Sequence, residues 1–196
     1  MTRSTVRALL VAVALVAVSA PQAAIIEFEA TLLGANENPP VASPGLGSAT
    51  VAIDTDARTM LVNASFSGLL GNTTASHIHC CMAPPTNAPV ATQVPTFVGF
   101  PLGVTSGVYA QLFDMTAAAS YNPTFITNNG GTVDTAFDAL LLGMLNGESY
   151  FNIHSSLFGG GEIRGQLAVV PEPGMFALLG IALAGLGIAR RRFTVR

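Results

Sequence analysis

The chain has 196 residues, half of them apolar and only 10% charged, which is enough for one domain with a substantial core plus targeting segments. Its body, from Ile25 to Val169, contains ten acidic residues but only two cations, Arg58 and Arg164, and the whole chain contains no lysine. Because binding to nucleic acid requires a basic surface, this acidic body argues against nucleic acid as a partner. It is compatible with metal cations, neutral glycans or other proteins.

The first 24 residues predict a secretory signal peptide for export by the Sec machinery. Arg3 and Arg7 form a positive first region, Ala8–Val18 form an apolar second region, and small residues follow. The mature chain is therefore expected to begin near residue 25 and to act outside the cytoplasm. The alternative interpretation is an N-terminal anchor that is retained.

The last part of the chain, residues 170–196, carries a second targeting pattern. It consists of the motif Pro171-Glu172-Pro173, an apolar run over 175–189, and the cluster Arg190, Arg191 and Arg192. The run of 15 residues is shorter than the roughly 20 that span a bilayer untilted. The arginines would keep its end in the cytoplasm, which leaves the body of the protein on the other side of the membrane.

This tripartite arrangement resembles the PEP-CTERM sorting signal. The resemblance implies a Gram-negative bacterium, transient insertion of 175–189 into the inner membrane, recognition by an exosortase, and release to the cell surface or extracellular matrix. The alternative is a permanent C-terminal anchor. The predicted organisation is a signal peptide (1–24), one domain (25–169) and a sorting segment (170–196).

Alternation of apolar and polar residues predicts several short strands in the body. They cover Ile26–Leu32, Ser48–Asp54, Thr59–Phe66, the region of His77, Gly107–Asp114, Ser149–Ser155 and Glu162–Val169. Five prolines make Cys80–Pro101 an irregular segment. Helical spacing is convincing only in Thr135–Asn146, where Thr135 and Asp138 form the predicted capping box. The pattern predicts an all-β fold, an antiparallel Greek-key sandwich or barrel with one short helix.

The chain contains three histidines, and all of them fit one alternation pattern. On a strand, His77 and His79 share one face while Ile78 points the other way, and His154 likewise lies opposite Ile153. The apolar residues belong in the core, so the imidazoles are expected on the outer face of the sheet. Imidazole suits copper, zinc, nickel and iron, so the pattern predicts a metal site, with copper as first choice and zinc as second. An exposed polar pair without metal is the ordinary alternative.

Two charged residues on the last strand are candidates for supporting roles. If that strand pairs with Ser149–Ser155, then Glu162 and Arg164 face outward together with His154. Glu162 would accept a ring N–H from a ligating histidine, and Arg164 would draw an anion toward the metal. The alternative is a surface Glu–Arg pair that contributes little energy.

Both cysteines of the chain, Cys80 and Cys81, are adjacent. Export to an oxidising compartment favours a disulfide. Consecutive Cα atoms, however, lie about 3.8 Å apart, below the usual range of about 4.4–6.8 Å for bridged cysteines. The open outcomes are a strained vicinal disulfide, an intermolecular disulfide, free thiols, or ligation of the metal by Cys81. That ligation requires the strand to continue, which would place Cys81 on the face of His77 and His79.

Several segments together resemble the CHRD domain, a module named after chordin, over Phe28–Leu167. The segments are Leu33–Pro40, Ala75–His79, the helix Ala139–Leu145, Tyr150–Ser155 and Gly160–Leu167. Cys80-Cys81-Met82 stands where members of this family often have Gly-Pro after the histidine pair. The resemblance implies a β-sandwich similar to immunoglobulin-like or copper–zinc superoxide dismutase-like folds, but no general biochemical role.

Three functions compete for this chain. The first is a non-enzymatic exported surface or matrix protein that binds one copper ion, or another transition-metal ion, through His77, His79 and His154. The second is a copper enzyme of the superoxide dismutase type, and the third is a metal-free structural or adhesive module for matrix polysaccharide or surface proteins. Three histidines exclude a complete copper–zinc pair built from histidines. The sequence also lacks a hydrolase elbow, a phosphate loop and a dinucleotide fingerprint.

Overall fold

The computed structural model describes residues 25–171, and the strands in this range form one antiparallel sheet. In chain order they are β1 (Ile25–Leu33), β2 (Leu46–Asp54), β3 (Thr59–Ser67), β4 (Thr73–Cys80), β5 (Gly107–Asp114), β6 (Ser149–Ser155), β7 (Ile163–Gln166) and β8 (Ala168–Val169). Neighbouring strands follow the order β4-β6-β7-β1-β2-β3-β5, and β8 pairs with β1. Two helices, α1 (Pro123–Asn128) and α2 (Val133–Leu145), lie between β5 and β6 in the chain.

The antiparallel, mostly β fold confirms the predicted class, but two details of the prediction are wrong. The described strands form a single curled sheet, a half-barrel, so the sandwich alternative with two packed sheets is wrong and the barrel alternative is closer. Residues 25–171 also contain two α-helices instead of one. The N-cap of α2 is Thr132, whose side chain accepts a hydrogen bond from the backbone N–H of Thr135. The predicted cap therefore lies three residues too late, because Gly130 and Gly131, both with positive φ, turn the chain just before Thr132.

Alternation along the strands determines which side chains form the core. Phe28 pairs with Val51, and Val51 pairs with Val62, so a row of apolar side chains crosses β1, β2 and β3 on the inner face. All three side chains are fully buried. Ile78 of β4 and Ile153 of β6 belong to the same core. Because successive side chains on a strand point to opposite faces, the histidines beside these two isoleucines lie on the outer face.

Residues 81–106, named here the covering segment, connect β4 to β5. Backbone hydrogen bonds to the free edge of β4 join Pro89 to Cys80, Ala91 to Ile78, and Phe97 to Ser76. The fully buried ring of Phe97 packs against Phe151 of β6 and Phe113 of β5, with ring centroids 6.0 and 5.1 Å away. The covering segment thus closes the opening between the two end strands of the sheet and satisfies backbone groups of the edge strand β4.

The targeting segments fall largely beyond the part of the chain that the structure describes. The predicted signal peptide (1–24) and residues 172–196 of the predicted sorting segment lie outside the described residues. Within residues 25–171, no helix is long and apolar enough to span a membrane.

Candidate metal centre

The pairing of β4 with β6 brings the three histidines together. His77 lies opposite Asn152, and Ala75 lies opposite His154, so His77 and His154 are diagonal neighbours on one face. The ring centroid of His77 lies 5.4 Å from that of His79 and 4.8 Å from that of His154. One nitrogen of each ring lies within 4.8 Å of one nitrogen of each other ring. This group could hold a metal ion.

Each imidazole is oriented by one hydrogen bond to a backbone carbonyl oxygen. His77 Nε2 donates to Pro95 (2.9 Å), His79 Nδ1 to Ala88 (2.8 Å) and His154 Nδ1 to Gly159 (3.0 Å). A carbonyl oxygen only accepts, so these nitrogens carry the proton and the other nitrogen of each neutral ring keeps a lone pair. Those other nitrogens are buried and have no hydrogen-bond partner within residues 25–171: His77 Nδ1, His79 Nε2 and His154 Nε2. Metal-ligating histidines typically show this division of roles between their two nitrogens.

The three histidines lie on the outer face of the sheet, but they are buried there. Only 6% of His77 and 8% of His79 and His154 is exposed. The covering segment and the turn after β6 supply the carbonyl partners, so these elements lie over the rings. Burial lowers the pKa of His77 and of His79 to about 4, and the mutual repulsion of the imidazoles adds to this effect. Burial also lowers the pKa of His154. All three rings are therefore neutral near pH 7, the form that binds metal.

Arg164 does not have the exposed position that the sequence predicts for a residue that draws anions. It is 6% exposed. Its Nε, Nη1 and Nη2 donate to the Asn36 carbonyl oxygen (2.6 Å), Asn87 Oδ1 (2.6 Å) and the Pro85 carbonyl oxygen (3.2 Å). Its guanidinium carbon also lies 4.5 Å from the centre of the Tyr150 ring, which stacks on His79. Arg164 thus binds the covering segment and the loop after β1 beside the Tyr150 ring, which contacts His79.

Glu162 also differs from its predicted role as partner of a histidine ring. Its carboxylate accepts hydrogen bonds from Ser43 Oγ (2.7 Å) and from the backbone N–H groups of Leu70 (2.5 Å) and Gly71 (3.1 Å). Backbone carbonyl oxygens take the ring N–H groups instead. Glu162 is fully buried and holds the loops after β1 and β3 against β7.

Two polar residues beside the cluster were not singled out in the sequence. Glu37 Oε1 and Asn152 Oδ1 are buried without a hydrogen-bond partner in the described part of the chain, and both lie against Gly161. Glu37 Oε2 lies 3.8 Å from Arg164 Nε. Burial raises the pKa of Glu37 to about 7, and the positive charge of Arg164 opposes this shift. Glu37 lies in a loop, where strand alternation cannot show which side chains are buried. The only indication in the sequence was that Glu37 belongs to the Leu33–Pro40 segment of the CHRD resemblance.

Cys80 and Cys81 form a vicinal disulfide in this structure. Cys80 is fully buried, and Cys81 Sγ lies 3.5 Å from the carbonyl oxygen of Ala139 in α2. Both sulfurs lie against Gly143 of the same helix. The strand ends at Cys80, so Cys81 does not continue the alternation that would place it beside His77 and His79. With the bond formed, neither residue offers a thiolate ligand.

The family model that matches this chain covers nearly the same residues as the fold described above. The model of the CHRD domain matches residues 28–167, more than half of the chain and the range expected from the sequence. The chain belongs to the CHRD domain family. The model of the PEP-CTERM protein-sorting motif matches residues 169–192, so this CHRD protein is exported, sorted to the cell surface and processed by an exosortase. No curated protein and no solved structure matches the chain.

Proposed function

We propose that this CHRD protein binds one transition-metal ion, copper first and zinc second, as a non-enzymatic component of the cell surface or extracellular matrix. The ligands are His77 Nδ1, His79 Nε2 and His154 Nε2. One observation carries the proposal: these three buried nitrogens lack a hydrogen-bond partner within residues 25–171, while the other nitrogen of each ring has one. Leaving three adjacent buried acceptors unpaired is unfavourable unless an ion or another ligand binds them.

The spacing of the three ring nitrogens can be compared with the spacing that a bound metal ion requires. Metal–nitrogen bonds of 2.0–2.1 Å place the ligand atoms of a tetrahedral ion about 3.3 Å apart. One nitrogen of each ring lies within 4.8 Å of one nitrogen of each other ring, a spacing that small movements of the rings would bring to the tetrahedral value. Three neutral imidazoles suit copper and zinc, and three protein ligands leave a fourth coordination position open.

The predicted targeting segments complete the proposal. Residues 1–24 direct export by Sec, residues 25–169 form the metal-binding domain, and 170–196 form the sorting segment. In a Gram-negative cell, the run 175–189 would hold the chain in the inner membrane until an exosortase removes it. The released domain would then meet matrix polysaccharide or surface proteins.

A copper enzyme of the superoxide dismutase type has weaker support. Such an enzyme must let an anion reach the metal, whereas the three histidines are at most 8% exposed. Arg164, the candidate for drawing that anion, is bonded to the covering segment and the loop after β1. Redox turnover of the copper-loaded protein with superoxide would nevertheless favour the enzyme over a binding protein.

The test is a copper(II) titration of the exported protein followed by electron paramagnetic resonance. We expect one equivalent to give a nitrogen-rich signal that His154→Ala abolishes or weakens strongly. Ser65→Ala, on the exposed face of β3, is the matched control and leaves the signal unchanged. A copper(II) signal that is indifferent to His154 would overturn the three-histidine site. No specific copper(II) signal, together with no zinc binding in a calorimetric titration, would favour the metal-free structural or adhesive module.

A further inference from the structure

The Cys80–Cys81 disulfide lies at the point where β4 leaves the histidine cluster. Cys80 directly follows His79 in the chain and is fully buried, whereas Cys81 is half-buried. A cavity of about 140 Å³ reaches both cysteines, and its walls include Pro89, Val90 and Phe125. A small thiol can therefore approach this bond from the Cys81 side.

One short stretch of the covering segment contacts both the disulfide and the metal site. The carbonyl oxygen of Ala88 accepts the ring N–H of His79 at 2.8 Å. The next carbonyl oxygen, of Pro89, accepts the backbone N–H of Cys80 at 3.0 Å, and Val90 pairs with His79. A shift of this stretch at the cysteines would therefore also move the group that orients His79.

The packing around the two sulfurs leaves little space on the helix side. A Cβ atom at position 143 would overlap both sulfurs, so α2 approaches the disulfide as closely as a glycine permits. Bonded sulfurs lie about 2.05 Å apart, whereas non-bonded heavy atoms separate to roughly 3.5–4 Å. After reduction, at least one thiol must move away from α2, and the cavity bounded by Pro89 and Val90 is the space available.

We propose that the Cys80–Cys81 disulfide is a thiol-exchange site that regulates the metal affinity of the three-histidine site. This inference rests on the proposed function. A dithiol is the reductant: its thiolate attacks Cys81 Sγ, the Cys80–Cys81 bond breaks, and Cys80 leaves as a thiolate that takes up a proton. The second thiol of the reductant then attacks the mixed disulfide and releases Cys81 as a thiol. Two electrons and two protons pass to the protein, and the reductant becomes a cyclic disulfide.

The test measures cobalt(II) affinity by visible absorption, because cobalt(II) reports its ligands and does not oxidise thiols. The full exported protein is titrated as isolated, and again after treatment with dithiothreitol and its removal under nitrogen. We expect reduction to yield two titratable thiols, to raise the dissociation constant about tenfold, as loss of a group that orients a ligand does, and to be reversed by reoxidation. The double variant Cys80→Ala/Cys81→Ala is the control, and its affinity should not respond to the reductant.

The outcomes separate the two proposals. If the oxidised protein binds none of cobalt(II), copper(II) and zinc, the proposed function fails, and regulation of that site fails with it. If the oxidised protein binds and the reduced protein binds equally well, only the regulation is wrong. Resistance of the folded disulfide to dithiothreitol would also overturn the proposed regulation. So would a sulfur-to-cobalt charge-transfer band after reduction, because it would mean that a cysteine thiolate binds the metal directly. Circular dichroism of both redox forms of the wild type checks that the fold persists, so the result stands even if the double variant does not fold.

Discussion

The outer face of the sheet has two halves, one that exposes apolar side chains and one that buries polar side chains. On the open half, formed by β1, β2, β3 and β5, apolar side chains are in solvent: Leu112 is 57% and Val108 is 80% exposed. On the covered half, formed by β4, β6 and β7, the polar residues His77, Asn152 and Arg164 are at most 6% exposed. The difference comes from the loops, because the covering segment lies over one half only. Strand alternation determines the face on which a side chain lies, but a neighbouring segment determines whether that face is exposed to solvent.

Arg164→Leu should have the largest effect on this contrast. It removes three hydrogen bonds to the loops and leaves the Glu37 carboxyl buried beside it without its cation. Breaking a buried charged network from one side typically lowers the free energy of unfolding by about 3–5 kcal/mol. Urea unfolding of the metal-free protein measures the loss. A loss below about 1 kcal/mol would mean that Arg164 does not hold the covered half together.

His79→Ala should abolish tight metal binding while the metal-free protein still folds. We expect the dissociation constant for copper(II) or zinc to rise by roughly 100-fold or more, since removing a ligand exceeds the effect of removing its orienting partner. Calorimetric titration measures this change. Thr50→Ala, on the exposed face of β2, is the matched variant from the open half and should bind like the wild type. An equal loss of metal affinity in both variants would contradict a metal site confined to the histidine cluster.

Glu37→Gln should change how stability depends on pH. The pKa of Glu37 is raised from 4.5 to about 7 by burial, so the folded state holds this proton more tightly than the unfolded state does. The resulting stabilisation is complete below about pH 4.5 and is lost as the pH rises through 7. Glutamine avoids the loss, so the stability of the variant relative to wild type should rise between pH 4 and pH 8 by up to about 3 kcal/mol.

Unfolding curves at a series of pH values measure this difference. Glu29→Gln, on the exposed face of β1, is the control from the open half, and its stability relative to wild type should change by less than about 0.5 kcal/mol. If the difference in stability between Glu37→Gln and the wild type stays constant over the same pH range, the pKa of Glu37 is not raised by burial.

Leu112→Ser should have the smallest effect. This side chain is exposed on the outer face of β5, so the substitution removes little buried apolar surface. We expect the free energy of unfolding to change by less than about 0.5 kcal/mol. A loss above about 1.5 kcal/mol in dilute protein would show that something covers the open half in solution.

Local patterns in the sequence predicted a large part of the candidate site. The alternation around Ile78 and Ile153 placed all three histidines on one face, opposite the core. The resemblance to the CHRD domain gave its limits, and the Pro-Glu-Pro motif with its arginine cluster predicted the sorting signal that the family model matches. These features are local, because the direction of a side chain on a strand depends on its own backbone.

Only the tertiary structure decided how the site is surrounded. The sequence predicts an exposed cluster with Glu162 and Arg164 as helpers, but the covering segment buries the rings and its carbonyl oxygens orient two of them. Arg164 and Glu162 instead hold loops that are distant in sequence. The lowered histidine pKa values and the raised pKa of Glu37 follow from that burial. The physical reason is that desolvation depends on contacts between segments far apart in the chain, and a proline-rich irregular segment has no periodicity to reveal where it will lie.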